Sequence, residues 1–406
     1  MPNTPDTSLI IIAHAGSYGG ISIHLNQFYH AVRNAARIGH VYLFAVNAGV
    51  VIQPQMRAQV TLRTALSFLW QGQRWRQLLL APAGFLREIC LTGRDAPQVR
   101  GQRAVIVSHD PNAFWGYALR ATHVTYCLYV TPPPATENLY KRPIIYVWRM
   151  ALHSLIAWRM RTGRLTLVTP TAFAAETWAR YLFLSPEEIT LLPSPPFLLN
   201  PVSGLIADTQ PGSALMPEIQ TLHQQGKRLV IAVGHMEDYK NPLVWATLAN
   251  ALQSSFPDTV FVWAGDGSLL EEVRSLTRHN PNVVLTGRLN QDDLRALYRI
   301  SWALLHPATK ESQGIVVMDA LTFGLPVILN NREALPGLIA GSAAGYVLDF
   351  NAADAPLRLS ETLRGLQEPS TYASCRASAL ALAAERYSYG AWSQKIGQLC
   401  TVGSTT

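Results

Sequence analysis

Cysteine, charge and long apolar runs are scarce in this chain, and each scarcity removes a class of protein. The 406 residues hold four cysteines, Cys90, Cys127, Cys375 and Cys400, far apart and with no Cys-x-x-Cys pair. That spacing argues against a disulfide framework and against a zinc site, and suits the buried thiols of a cytosolic protein. No segment reaches the roughly 18 uninterrupted apolar residues of a membrane span. The apolar run 9–13 is short and follows polar residues, which is not the pattern of a signal peptide. Repeats and low-complexity tails are missing, as is a full Gly-x-Gly-x-x-Gly with a downstream ribose acid, so a nicotinamide oxidoreductase has little support. Only 15% of residues are charged against 49% apolar, so the chain has ample core. Its length exceeds what one core usually covers, and two domains are expected.

What charge there is, is unevenly shared. Residues 1–200 carry 18 Lys and Arg against 8 Asp and Glu, and the remainder 15 against 18. Within the basic half, 57–103 holds eight arginines and two acids, interleaved with Phe68, Trp70, Trp75 and Phe85. A second stretch, 141–164, has six cations, no acid, and Tyr146, Trp148 and Trp158. Basic helices with aromatic residues suit an anionic membrane surface, although a core-facing helix with an arginine-rich outer side has the same composition. No nucleic-acid recognition motif accompanies the charge.

Strand and helix patterns alternate along the chain, which argues for parallel sheets in a doubly wound α/β fold. Strands are expected at 9–13, 41–46, 104–108, 123–130, 165–169 and 189–192. The segment Pro193-Ser194-Pro195-Pro196, with the Gly/Ser/Pro-rich stretch to Gly212, cannot form a regular element and marks a domain boundary. Winding then resumes with strands at 228–233, 259–263, 283–285, 301–305 and 327–330. Helices are expected between them at 241–254, 268–278, 291–299 and 314–323, and after them at 353–367, 371–386 and 389–400.

Several turns carry polar residues where a ligand would meet them. Glu311 lies in a loop before a helix opened by Gly314, and Asp319 sits about a turn and a half inside that helix. A helix N-terminus offers unpaired N–H groups and a positive dipole end, which suits a diphosphate. The side chain of Asp319 tilts back toward that end. Gly234, His235 and Lys240 follow a strand and precede a helix, where Lys240 supplies a point charge; the same residues also suit an ordinary βα turn. Asp266, in Ala264-Gly265-Asp266-Gly267, reads as the cap of a helix starting at Ser268. Arg288 lies at another strand end on the ligand side of the sheet, beside a base or simply in a surface loop. In the first half, Gly19 and Gly20 close a glycine-rich loop, and His109-Asp110 follows a strand.

From Glu311 to Pro326, through Gly314, Ile315, Asp319 and Gly324, the sequence resembles the acid-x7-acid signature of the retaining nucleotide-sugar glycosyltransferases of family 4, which have the GT-B fold. The resemblance extends in register to Gly234–Lys240, Ala264–Gly267 and Asn282–Gly287. It is strong over 228–350 and weaker over 1–196, where it rests on Gly19-Gly20, His109 and 169–173. It implies two Rossmann-like doubly wound domains facing across a cleft: an acceptor domain at 1–196, a donor domain at 197–386, and a final helix at 387–406 crossing back. By the same resemblance Glu311, His109 and Lys240 are catalytic. Gly19, Gly20, Gly234, His235, Arg288, Gly314, Ile315 and Asp319 hold the donor, with no metal and no cofactor besides the nucleoside-diphosphate sugar. The implied acceptor is a glycan or lipid-linked sugar, met peripherally on the cytoplasmic face of the membrane, without nucleic acid. Two rivals remain, a catalytically silent nucleotide-sugar-binding relative and a GT-B nucleotide-sugar epimerase. Three departures stand out: Asp319 where Glu is usual, His235 where the family has arginine, and Pro193–Pro196 in place of an Asn-Gly-Val-Asp-like end to the first domain.

Overall fold

The computed structural model describes residues 7–13, 27–28, 30–33, 38–45, 60–64, 103–108, 122–128, 154–199 and 212–401. The chain forms two compact units, Met1–Pro193 with Gly390–Thr406, and Ser194–Tyr389. Gly19, Gly20 and His109, most of 57–103, and 141–153 lie outside the described residues.

The first unit holds a sheet of β1 (Thr7–Ala13), β2 (Ile38–Ala45), β3 (Val60–Thr64), β4 (Arg103–Ser108), β5 (His123–Leu128), β6 (Leu165–Thr169) and β7 (Thr190–Leu191). Their order is β3-β2-β1-β4-β5-β6-β7, every pairing parallel. The order reverses between β1 and β4, as in doubly wound sheets. Helix Ala172–Leu182 is opened by Thr171, whose hydroxyl accepts the Ala174 N–H, and it packs Trp178 and Ala175 against Leu165, Leu167 and Tyr126. The last helix, Tyr389–Thr401, belongs to this unit from Gly390 on: Trp392 meets Phe28 edge-to-face at 4.8 Å, and the Thr125 hydroxyl donates to the Leu399 carbonyl.

The second unit holds β8 (Arg228–Val233), β9 (Thr259–Ala264), β10 (Val283–Gly287), β11 (Ala303–His306), β12 (Val327–Asn330) and β13 (Gly345–Leu348), in the order β10-β9-β8-β11-β12-β13. These pairings are parallel too. Parallel strands covered on both faces read as continuous apolar runs, which Leu229–Val233 and Val260–Ala264 are. Alternation then sorts them. Leu229, Ile231 and Val233 pack with Val317, Met318 and Leu321, whereas Val230 and Ala232 pack with Trp245, Leu248 and Trp263 on the opposite face.

The structure differs from the sequence expectation at several elements. Within 57–103, read as basic and helical, Val60–Thr64 is a strand whose alternating Val60, Leu62 and Thr64 suit a sheet. Helix Met216–Gln224 and β13 were not foreseen. Pro217 can open a helix at its first turn, and β13 is a four-residue strand starting on glycine. Nor does Asp266 cap a helix. Glu237 instead accepts the Ser268 N–H and hydroxyl, and the helix runs over Leu270–Thr277.

Candidate functional site

The second sheet reverses its winding between β8 and β11, and ligands of doubly wound sheets bind outside the carboxyl ends of strands at such a point. Two loops leave there, 234–241 after β8 and 307–314 after β11.

The first loop is laced to its neighbour. Gly234 N–H donates to Ala264 O, Met236 N–H to Asp266 O, and the Trp263 indole to Gly234 O. Gly265 must be glycine here: at φ 146, a Cβ would lie 2.0 Å from the Gly234 carbonyl oxygen. The chain then makes a 3-10 turn at Asp238–Lys240, and the lysine stem packs over Gly234. His235 stays exposed, with its Nδ1 3.5 Å from Asp266.

The second loop starts at His306, the last residue of β11 and fully buried, and reaches Gly314. Gly314 adopts φ 70 at the N-cap of helix Ile315–Thr322, a left-handed backbone that glycine takes without strain. The amides of Val317 and Met318 turn back to its carbonyl.

Lys240 and Glu311 join the two loops. Lys240 Nζ lies 2.6 Å from Glu311 Oε2, and the side chains are 15% and 13% exposed. His306 Nε2 approaches the same oxygen at 3.4 Å, while Oε1 accepts the Gly314 N–H at 3.1 Å and the Gln313 N–H at 3.4 Å. Burial alone would raise the Glu311 pKa. The Lys240 charge and the His306 contact reverse this and hold it well below the usual carboxylate range. Burial pushes His306 down and Lys240 adds to this, against the Glu311 hydrogen bond, which raises it; an ionised carboxylate only accepts, which assigns the hydrogen to Nε2.

Asp319 faces elsewhere. Its Oδ1 accepts the amides of Phe197 at 2.6 Å and Leu198 at 2.8 Å, and Arg295 Nε donates to the Leu198 carbonyl. Ser194 Oγ donates to Gln313 Oε1 beside it. The segment that opens the second unit is thereby fastened to the loop and helix carrying both acids. Burial pushes Asp319 up to about 7, against the two amides and Arg295, which pull it down.

The structure therefore brings Lys240, Glu311, Gly314 and Ile315 together, with Gly234 against the lysine stem. It sets Asp319 on the Phe197–Leu198 backbone, His235 on Asp266, and Arg288 exposed just past β10. Sequence reasoning missed His306, whose signal was its place at a strand's carboxyl end. It also missed Gln313 and Arg295, for which spacing offered none.

Residues 218–373 match the family model of glycosyl transferases group 1. Over 128 residues the chain is 27% identical to an Escherichia coli UDP-Gal:alpha-D-GlcNAc-diphosphoundecaprenol alpha-1,3-galactosyltransferase, a match covering 30% of this chain and 33% of that protein. The chain spans a third or less of the length of the first curated relatives it matches. A solved glycosyltransferase from Rickettsia africae ESF-5 superposes with a TM-score of 0.69 at 12% identity, covering 98% of this chain and 100% of that one. Anabaena Alr3699/HepE, solved in complex with UDP, gives 0.68 at 16% identity, covering 97% and 99%. The fold is thus α/β of the GT-B type, with parallel sheets in two domains.

Proposed function

We propose that the chain is a retaining, metal-independent glycosyltransferase that moves a sugar from a nucleoside-diphosphate sugar to a lipid-linked or surface-polysaccharide acceptor. One observation carries the reading. An ammonium and a carboxylate from two strand ends meet 2.6 Å apart at the winding reversal, beside a glycine-opened helix N-terminus. The matched family model and the lipid-diphosphate acceptor of the E. coli relative support the reaction class, and UDP in that relative and in the Anabaena complex supports the donor class.

The diphosphate is met by Lys240 and the Ile315 amide, with the Gly314 amide turning to it from Glu311 Oε1, so the leaving group's charge needs no bound cation. Both Glu311 oxygens are engaged by donors of the protein itself. An arriving diphosphate takes Lys240, and Glu311 Oε2 becomes available to a sugar hydroxyl. The acceptor hydroxyl then attacks the anomeric carbon on the face the diphosphate leaves. The glycosidic bond forms as the carbon–phosphate oxygen bond breaks, and a diphosphate oxygen takes the acceptor proton. By the family resemblance alone Gly19, Gly20 and His109 act in the reaction, Arg288 borders the nucleoside and His235 lies near the phosphates, while Asp319 acts by fastening the Phe197–Leu198 backbone to the donor-site helix.

The basic first half docks on an anionic membrane. Its described part supports this: on helix 154–161 Trp158 is 51% exposed, with Arg161 and Arg164 exposed beside it. Among the described residues no helix is long and apolar enough to cross a membrane.

Release of nucleoside diphosphate from UDP-, GDP- and ADP-sugars, with anomeric configuration read by NMR, tests the reading. Binding without release in the presence of an acceptor panel would favour the silent relative, for which His235 in place of arginine is the motivating feature. Release of free epimer without acceptor would favour the epimerase.

A further inference from the structure

The main chain of Glu311 is held as firmly as its carboxylate, and by residues that no motif singles out. Glu333 lies in the turn after β12, just before helix Leu335–Leu338. Its Oε2 accepts the Glu311 N–H at 2.7 Å, and the amide of the next residue, Ala334, donates to the Glu311 carbonyl at 3.3 Å. Two consecutive residues of one turn thus take both backbone polar groups of Glu311. The bond to a carboxylate is of the stronger, charge-assisted kind.

The turn takes an unusual backbone to do so. Glu333 has φ 47, a left-handed conformation in which a Cβ is strained and glycine is the default. Among the described residues only Phe183, Asn241 and Glu333 do this without being glycine. Asn241 belongs to a residue type that tolerates the region, and Phe183 ends a helix. Glu333 does neither, and strain of this kind collects at functional sites. The base of the same region is pinned separately. Asn330, fully buried at the end of β12, donates to the Pro307 and Ala308 carbonyls and accepts the Phe350 N–H. With the base fixed, the Glu333 carboxylate governs the tip. Its half-buried position, close to Glu311, shifts its own pKa upward, burial first.

We infer that Glu333 is a positioning residue of the donor site, its left-handed backbone retained because it aims a carboxylate at the amide of Glu311. Through Glu311 it fixes where the sugar-facing carboxylate stands relative to Lys240 and Gly314. This rests on the reading of Glu311 and Lys240 as the donor site.

The test uses the full chain and the nucleotide sugar, among UDP-glucose, UDP-galactose, GDP-mannose and ADP-glucose, that most raises its melting temperature. Glu333→Gly removes the acceptor and relieves the backbone, while giving the unfolded chain more freedom. These effects oppose, and the melting temperature should stay within about 2 °C of wild type. Donor kcat/KM, or 1/Kd by calorimetry, should nevertheless fall about tenfold or more. Glu333→Gln keeps an acceptor oxygen and should stay within about threefold of wild type. A purely structural glutamate predicts the reverse pattern, a glycine variant as active as the parent. That result, alongside a Glu311→Ala variant that no longer binds donor, overturns the inference and leaves the site reading intact. Glycine and glutamine variants that lose activity only together with stability also overturn it. If neither Glu311→Ala nor Lys240→Ala changes donor binding, both readings fall.

Discussion

Removing a carboxylate from water is costly, and the two acids of the site meet that cost by opposite means. Glu311 stays ionised because an ammonium and three further donors surround it, whereas Asp319, with two amides on one oxygen, is pushed up to about 7. The consequences differ in sign. The folded pKa of Asp319 lies above its unfolded value of 3.8, so its contribution favours folding at low pH and is lost as pH rises toward 7. Wild type should lose up to ~1.4 kcal/mol per pH unit from this group between about pH 4 and 7, and nothing more above that. Asp319→Asn keeps the acceptor for Phe197 and Leu198, and urea titrations across this range should give a flatter profile with an advantage that is constant above pH 7. Glu311 is depressed instead, so its contribution is present above the ordinary carboxylate range and is lost in acid. Lys240→Met strands that carboxylate in a largely dry place. We expect a loss of about 3–5 kcal/mol, with most of it recovered when Glu311→Leu is added, measured as a double-mutant cycle. Glu311, Lys240 and Gly314 were legible in the sequence because strand-end loops and a helix mouth bring them together by local geometry. Glu333 was not: it lies 22 residues from Glu311, and only the pairing of β11 with β12 sets them side by side.

At the scale of elements, the helix Ile315–Thr322 turns on one residue. Gly314 has φ 70, and a Cβ there would come within 2.3 Å of Leu338 Cδ1. The leucine tip can move, so the backbone term decides. Gly314→Ala should cost about 1–3 kcal/mol in thermal or chemical unfolding. It should also weaken donor binding by at least tenfold, since the Gly314 and Ile315 amides would be re-aimed. Elements with a strong local signal were legible: β8, β9 and β12 are continuous apolar runs, and Asn290 caps helix Gln291–Ile300 by accepting the Asp293 N–H. Those that escaped depend on tertiary neighbours. β3 and β13 are short strands that exist by pairing with β2 and β12, and Glu237 reaches Ser268 from another loop. The Asp319 contact escaped for the same reason, because a helix pattern cannot show which distant backbone lies beside it.

At the scale of the whole chain, the proposed donor binding and the proposed membrane docking are separable by experiment. A nucleotide sugar at a hundred times its Kd should stabilise the protein by about 2.7 kcal/mol, and the melting shift should be the same with EDTA present. A shift abolished by EDTA would sink the metal-independent reading. Sedimentation with anionic vesicles should exceed that with neutral ones and weaken with salt, and equal partition into both would count against docking through the basic half. The two-domain α/β architecture was legible from the alternation of apolar runs with helical patterns and from the Pro193–Pro196 break, since both are properties of the chain itself. Finally, the contact between Lys240 and Glu311 makes the site its own competitor. An ammonium already satisfied by a carboxylate has nothing to gain from a neutral visitor. Free sugars and nucleosides face a built-in occupant that only a comparably charged group displaces. On the proposed reading a released nucleoside diphosphate carries that charge, and product inhibition is the outcome expected from the same contact that keeps bystanders out.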